Sequence, residues 1–208
     1  MTPKVAVIYY SSTGNVHRLA EALADGAASV GADVRLRKVG EHAPASAIAA
    51  NPVWRGHVDA TRGIPIATHD DLIWADAYAF GTPTRFGNVS SQLKQFIDTT
   101  GGLWAQGLLA DKPVTAFTSA ANPHGGNEST LLALYNSMYH WGAVLVPPGY
   151  TDPAVSAAFG NPYGTAHPSM AGPPTGNVLD AARFQGRRLA TTARHLLVGR
   201  AADDRVPA

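Results

Sequence analysis

The sequence of 208 residues predicts an α/β fold in three layers, with helices on both faces of a five-stranded parallel sheet of strand order 2-1-3-4-5. Three observations point there. Short apolar runs alternate with segments of helical period along the chain. The first run, Lys4–Tyr10 (KVAVIYY), is almost continuously apolar, as in a strand buried on both faces. Three loops of small residues follow the first, third and fourth runs, at the sheet edge where doubly wound folds bind ligands.

The elements follow in order. After Lys4–Tyr10 comes a tight polar loop, Ser11–Asn15, and then Leu19, Ala20, Leu23, Ala24 and Ala27 recur at helical spacing. Asp33–Val39 (DVRLRKV) alternates polar and apolar, like an edge strand with one exposed face. Residues 41–70 hold three prolines and no convincing period, and are expected to form a long irregular insertion. Asp76–Thr82 (DAYAFGT) reads as the third strand. The next helix, over Val89–Phe96, sets Val89, Leu93, Phe96 and Ile97 on one face. Pro113–Thr118 is the fourth strand, Ser129–Trp141 a helix, and Ala143–Pro147 a fifth strand ending in Pro147–Pro148. Thr151–Asn177, rich in Gly and Pro, reads as loop, and Asp180–Leu197 as a closing helix with Leu189, Ala193, Leu196 and Leu197 on one face. One domain over residues 1–200 and a flexible tail over 201–208 are expected.

Composition excludes several classes. A formal net charge of +1 gives no basic stripe to neutralise nucleic-acid phosphates. With no cysteine, there is no disulfide, thiol nucleophile or Cys-ligated metal. The eight histidines show no ligand spacing, so no metal site is expected. Any redox group has to be brought in. No basic segment and apolar run precede Lys4, and no apolar run approaches the ~20 residues of a membrane helix, so a cytoplasmic protein without membrane contact is expected.

The first loop carries the chemistry most openly. A helix N-terminus at the carboxyl end of a strand offers free N–H groups and the positive end of the helix dipole to an anion. Ser11, Ser12 and Thr13 add hydroxyls, Gly14 allows close approach, and Asn15 is placed to cap the helix. The loop has neither the lysine of a Walker A motif nor the G-x-G-x-x-G dinucleotide fingerprint. A phosphate monoester, such as that of FMN, suits it. By itself it reads equally well as a turn and a helix cap. The second loop, Gly81–Asn88 (GTPTRFGN), packs glycines, hydroxyls, an arginine and an aromatic into eight residues; its backbone can reach the pyrimidine edge of a flavin, and Phe86 its face. The third, Ser119–Glu128, opens at the same edge.

SSTGN after KVAVIYY, GTPTRFGN before a helix, DTTGGLW at Asp98–Trp104 and HGG-x-E at His124–Glu128 together resemble the WrbA-type NAD(P)H:quinone oxidoreductases. The resemblance runs from Val5 to about Tyr150 and resumes at Ala182–Gly186 (ARFQG). It implies a flavodoxin-like three-layer sandwich, one FMN per subunit, a tetramer built as a dimer of dimers, and two-electron reduction of quinones by NADH or NADPH. It also implies residue roles. Ser11, Ser12, Thr13, Gly14, Asn15 and Val16 correspond to the FMN phosphate loop, and Pro83, Thr84, Arg85, Phe86 and Gly87 to the flavin-ring loop. Ser119, Ala120, Ala121, Asn122, Gly125 and Gly126 correspond to the third flavin-contacting loop. His140 lies where the family has a histidine contacting FMN; the sequence names no strong general acid, which leaves water or His140 as the proton source. Trp104 lies where it has a tryptophan that stacks on substrate.

The chain also departs from the family. Thr13 stands where a tyrosine or another bulky residue faces the nicotinamide. Ala-Ala-Asn-Pro replaces the usual hydroxyl and glycine residues of the third loop, and Asn51–Ile64 matches poorly. The rival readings are a one-electron flavodoxin-type carrier, which would be more acidic than a chain at +1, and a flavin-binding regulatory protein.

Overall fold

The computed structural model describes residues 1–203. Its sheet is parallel, with strands β1 (Lys4–Tyr9), β2 (Asp33–Lys38), β3 (Ala77–Pro83), β4 (Pro113–Ala120) and β5 (Val144–Leu145) in the order β2-β1-β3-β4-β5. That is the predicted flavodoxin-like order, with β2 at the edge. A sixth strand, β6 (Ala166–Pro168), pairs with β4 through Thr118↔Ala166 to Ala120↔Pro168. The Gly- and Pro-rich pattern of these residues predicts a loop instead. The reason is local. β5 pairs only with Pro113 and Val114, and Pro147–Pro148 follow it with no N–H to continue a ladder. The carboxyl half of β4 is thereby left open, and β6 occupies it.

Helix α1 (Asn15–Ala28) and the closing helix cover one face. They pack through Val16, Leu19, Leu23, Leu189 and Ala193 onto Val5, Val7 and Tyr9. The closing helix spans Gly176–Asp203, longer than expected at both ends, so the anticipated tail begins inside it; residues 204–208 lie outside the described residues. The two helices touch backbone to backbone. A Cβ at Gly26 would stand 2.0 Å from the Arg183 carbonyl oxygen, and one at Gly186 would stand 2.0 Å from that of Leu23.

Between β2 and β3 lie α2 (Ala45–Ala49), α3 (Pro52–Ala60) and α4 (His69–Trp74). The expected irregular insertion is therefore largely helical. Neither α2 nor α3 buries a residue, which is why no apolar period shows. α3 starts at an Asn51 side chain that accepts from the N–H groups of Val53 and Trp54, with Pro52 in its first turn. The Glu41 carboxylate ties this region down. It accepts from the Tyr10 hydroxyl (2.8 Å), Trp54 Nε1 (3.0 Å), Gln92 Nε2 (3.1 Å) and the N–H groups of His42 and Ala43 (both 2.9 Å).

The second face carries α5 (Ser91–Asp98), α6 (Gly101–Ala105) and α7 (Asn127–His140), whose Leu93, Leu103, Leu131 and Leu134 bury Ile8, Tyr78 and Phe80. A short helix α8 (Pro153–Ala157) lies before β6, and the Gly176–Asp203 helix is α9. Buried Gln185 of α9 joins the layers. Its Nε2 donates to Thr115 Oγ1 and the Ala116 carbonyl, both at 2.7 Å, and its Oε1 accepts from the Thr165 N–H at 2.8 Å. No helix among the described residues is long and apolar enough to cross a membrane.

Candidate functional site

The first loop turns from β1 into α1 through Gly14, at φ 97°, a left-handed conformation that glycine adopts without strain. The Gly14 N–H donates to Ser11 Oγ at 3.0 Å. Gly14 is the N-cap and Asn15 the first helical residue; no side chain caps α1 and no acidic residue stands in its first turn. The capping role expected of Asn15 is thus not found: the glycine takes the cap position, and its left-handed turn carries Asn15 into the helix. The first-turn N–H groups are free of side-chain acceptors, as an anion site requires.

In the second loop, Arg85 and Asn88 exchange both backbone hydrogen bonds, at 2.9 and 3.0 Å, around Phe86 (φ 52°) and Gly87 (φ 75°). Positive φ at both central residues makes this a tight hairpin turn, and it costs about 1 kcal/mol at a non-glycine residue such as Phe86. Phe86 is held fully in solvent as a result. Arg85 donates to the Thr84 carbonyl (2.9 Å) and to Ser12 Oγ (3.3 Å), linking the first two loops. Thr84 donates its N–H to the Ser119 carbonyl (2.8 Å), linking the second loop to β4.

The third loop closes on the second at Gly126, the left-handed N-cap of α7, where an added Cβ would meet Gly87 Cα at 2.8 Å. It is held from outside as well: the Met170 N–H donates to the Ala121 carbonyl (2.9 Å), and Ser119 Oγ donates to the His167 carbonyl (2.8 Å).

The three loops enclose a cleft of about 290 Å³. Ser11, Ser12, Thr13, Asn15 and Val16 line it from the first loop, Pro83, Thr84 and Arg85 from the second, and Ser119, Ala120 and Ala121 from β4 and the third. Ser169, just beyond β6, completes it. Sequence reasoning missed Ser169, since nothing in the Gly- and Pro-rich stretch announces a three-residue strand. Among the described residues, Arg85 is the only charged one of the lining. Hydroxyls, free N–H groups, one cation and no carboxylate suit a phosphate monoester carrying a flat polar ring.

Gly14, Gly87, Gly125 and Gly126 shape the loops without lining the cleft, and Phe86 and Asn122 also stand outside its lining. Trp104 and His140 lie elsewhere on the chain. They border a second cleft of about 300 Å³ with Lys94, Ile97, Asp98, Thr100, Gly101, Ser137 and Trp141. There Trp104 Nε1 donates to the His140 carbonyl at 2.7 Å. The physical reason for the separation is α7 itself: His140 closes a helix of 14 residues that starts at the first cleft, about 20 Å away at 1.5 Å per residue. Within one chain His140 therefore does not join the loops with which the sequence grouped it.

Behind the first loop is a group that sequence reasoning did not single out. The Tyr9 hydroxyl meets His17 Nδ1 at 2.6 Å, and the His17 and His57 rings lie 5.3 Å apart. Burial pushes His57 down to about 4, aided by His17 and Lys38; burial also lowers His17. Burial raises the Tyr9 phenol well above its usual range. Among the described residues, no group of three or more His, Cys, Asp or Glu is placed to hold a metal ion.

Residues 3–154 match the family model described as NADPH-dependent FMN reductase. The chain is 45% identical to a NAD(P)H dehydrogenase (quinone) of Deinococcus radiodurans, over 93% of this chain and 97% of that protein. It is 42% identical to one from Syntrophobacter fumaroxidans, over 93% and 98%. Among solved structures, it resembles the flavodoxin, WrbA-like protein from Agrobacterium tumefaciens, with a TM-score of 0.68 and 26% identity over 93% of this chain and 99% of that one. An archaeal flavodoxin shares the fold, at a TM-score of 0.62 and 20% identity over 92% and 99%.

Proposed function

The chain belongs to the NADPH-dependent FMN reductase family and, within it, to the WrbA-type NAD(P)H:quinone oxidoreductases, and from that premise we propose that the three-loop cleft holds FMN for two-electron reduction of quinones by NADH or NADPH. The observation that carries this reading is the cleft at the carboxyl ends of β1, β3 and β4, with the uncapped N-terminus of α1 at one side and no carboxylate in its lining.

FMN, when bound, would supply the two-electron redox chemistry between reduced nicotinamide and quinone. Ser11, Ser12, Thr13, Asn15 and the first-turn N–H groups of α1 hold the phosphate. Pro83, Thr84 and Arg85, together with Ser119, Ala120 and Ala121, orient the ring; Phe86, fixed in solvent by its strained turn, forms an outer wall. Ser169 closes the far side. Thr13 leaves open the space that a bulkier residue would fill, so the nicotinamide approaches a less enclosed cleft.

Trp104 and His140 serve a neighbouring subunit in this reading. Trp104 is exposed, and Leu108, Leu132, Tyr139 and Val144 on the neighbouring segments are exposed apolar side chains as well. A dimer of dimers in the cytoplasm buries them and brings the indole and imidazole to another chain's cleft. The test is the visible spectrum of the purified protein combined with steady-state NADH and NADPH oxidation by benzoquinone. A flavin spectrum and quinone-dependent turnover support the reading. Bound FMN without turnover moves the protein to the electron carriers or flavin-binding regulators.

A further inference from the structure

α3, which carries His57, reaches back to the first loop. His57 packs behind Gly14: a Cβ there would lie 3.5 Å from His57 Nδ1. His57 and Ser11 also line the same small cavity behind the loop. His17 is in the first turn of α1, beside the free N–H groups, and its ring is 5.3 Å from that of His57. The loop itself contains no lysine or arginine.

We propose that His17 and His57 form a proton-binding pair behind the phosphate loop, so that the protein takes up a proton from solvent as it binds the phosphate monoester of FMN. The proposal rests on the FMN reading above. Without ligand, the surroundings keep both rings neutral at pH 7. His57 faces His17 and the Lys38 ammonium, and Tyr10, Glu41 and Tyr9 border the small cavity beside it. His17 faces Lys38 and Arg18 on the repulsive side, and Glu21, at 3.3 Å, and the Tyr9 hydroxyl on the other. Lys38 is itself engaged, donating to the Thr61 carbonyl. A phosphate dianion at the first turn of α1 adds negative charge next to this cluster and favours the protonated imidazole. By linkage, the binding that draws in a proton is itself strengthened as pH falls.

His17 and His57 are positioning residues here, since neither lines the cleft. FMN affinity is measured by flavin fluorescence for apo wild type, His57→Gln and His17→Gln between pH 8 and 5.5, with proton uptake followed by an indicator dye in weak buffer. The phosphate's own titration is common to all three and cancels in the ratios. Wild type should gain on His17→Gln by about fivefold across that range, within the tenfold that one unit of pKa shift allows, and by less on His57→Gln, whose ring titrates lower; it should take up more protons per FMN at pH 6 than His17→Gln. Gln at 57 keeps a polar side chain of similar size behind Gly14, and thermal melts check folding; if one variant does not fold, the other carries the test. Parallel pH profiles with equal proton uptake overturn the pair while leaving FMN binding intact. Failure of wild type to bind FMN at any pH overturns the FMN reading itself.

Discussion

Gly126 and Gly87 meet backbone to backbone, 2.8 Å separating Gly87 Cα from the place a Cβ would take on Gly126. The contact joins the second and third loops, and φ is positive at both glycines. Gly126→Ala therefore has to separate the loops and strain its own backbone, for a cost of about 1–3 kcal/mol. The expected result is a lower urea midpoint together with at least tenfold weaker FMN binding. An alanine variant with wild-type midpoint and affinity would show that the loops tolerate separation.

Gln185 is the next lever. Truncating it to an apolar side chain, Gln185→Leu, leaves the Thr165 N–H and the Ala116 carbonyl buried without the partners they have now. A loss of about 2–4 kcal/mol is expected in chemical denaturation. Because Thr165 leads into β6 and Ser169, FMN affinity should fall as well. Unchanged stability would mean that other groups satisfy both atoms.

Glu41 gives a pH dependence. Burial alone would raise its carboxyl; hydrogen bonds from the Ala43 N–H, Tyr10, Gln92 and Trp54 outweigh burial and lower it. A carboxyl lowered on folding contributes stability that is full above its unfolded value of about 4.3 and is lost as pH falls through its folded value. The Tm advantage of wild type over Glu41→Gln should be constant from pH 7 to 5 and shrink below about pH 4. A difference that grows on acidification contradicts the assignment.

Trp104→Ala addresses the assembly. The indole lies outside the cleft of its own chain, so FMN affinity should stay within about twofold, while kcat/KM for benzoquinone drops about tenfold, ~1.4 kcal/mol of lost stacking and contact. Light scattering on wild type should give a mass above one subunit. A monomer with full activity would confine Trp104 to its own chain.

The strands were legible because β1, β3 and β4 are short apolar runs buried on both faces, and their three loops were legible because small residues and hydroxyls cluster after each. What stayed hidden has physical causes. β6 is three residues long in a stretch without period, so Ser169 could not be placed beside Ser119. α3 buries no apolar face, although Asn51–Pro52 is a readable start, and His57 therefore carried no signal of its proximity to Gly14. Phe86 sits in a left-handed conformation that its residue type disfavours, fixed by the Arg85–Asn88 hydrogen bonds. Motif similarity grouped His140 with the loops, whereas the length of α7 separates them within one chain.

The most direct test of the central claim is FMN titration of wild type and Thr13→Glu side by side. Thr13 lines the cleft in the loop that leads to the free N–H groups of α1, and a carboxylate there repels the phosphate and competes for those donors. One FMN per chain is expected for wild type, and no measurable retention for Thr13→Glu, with both proteins equally folded. Equal affinity in the two proteins would contradict the assignment of this loop as the phosphate site.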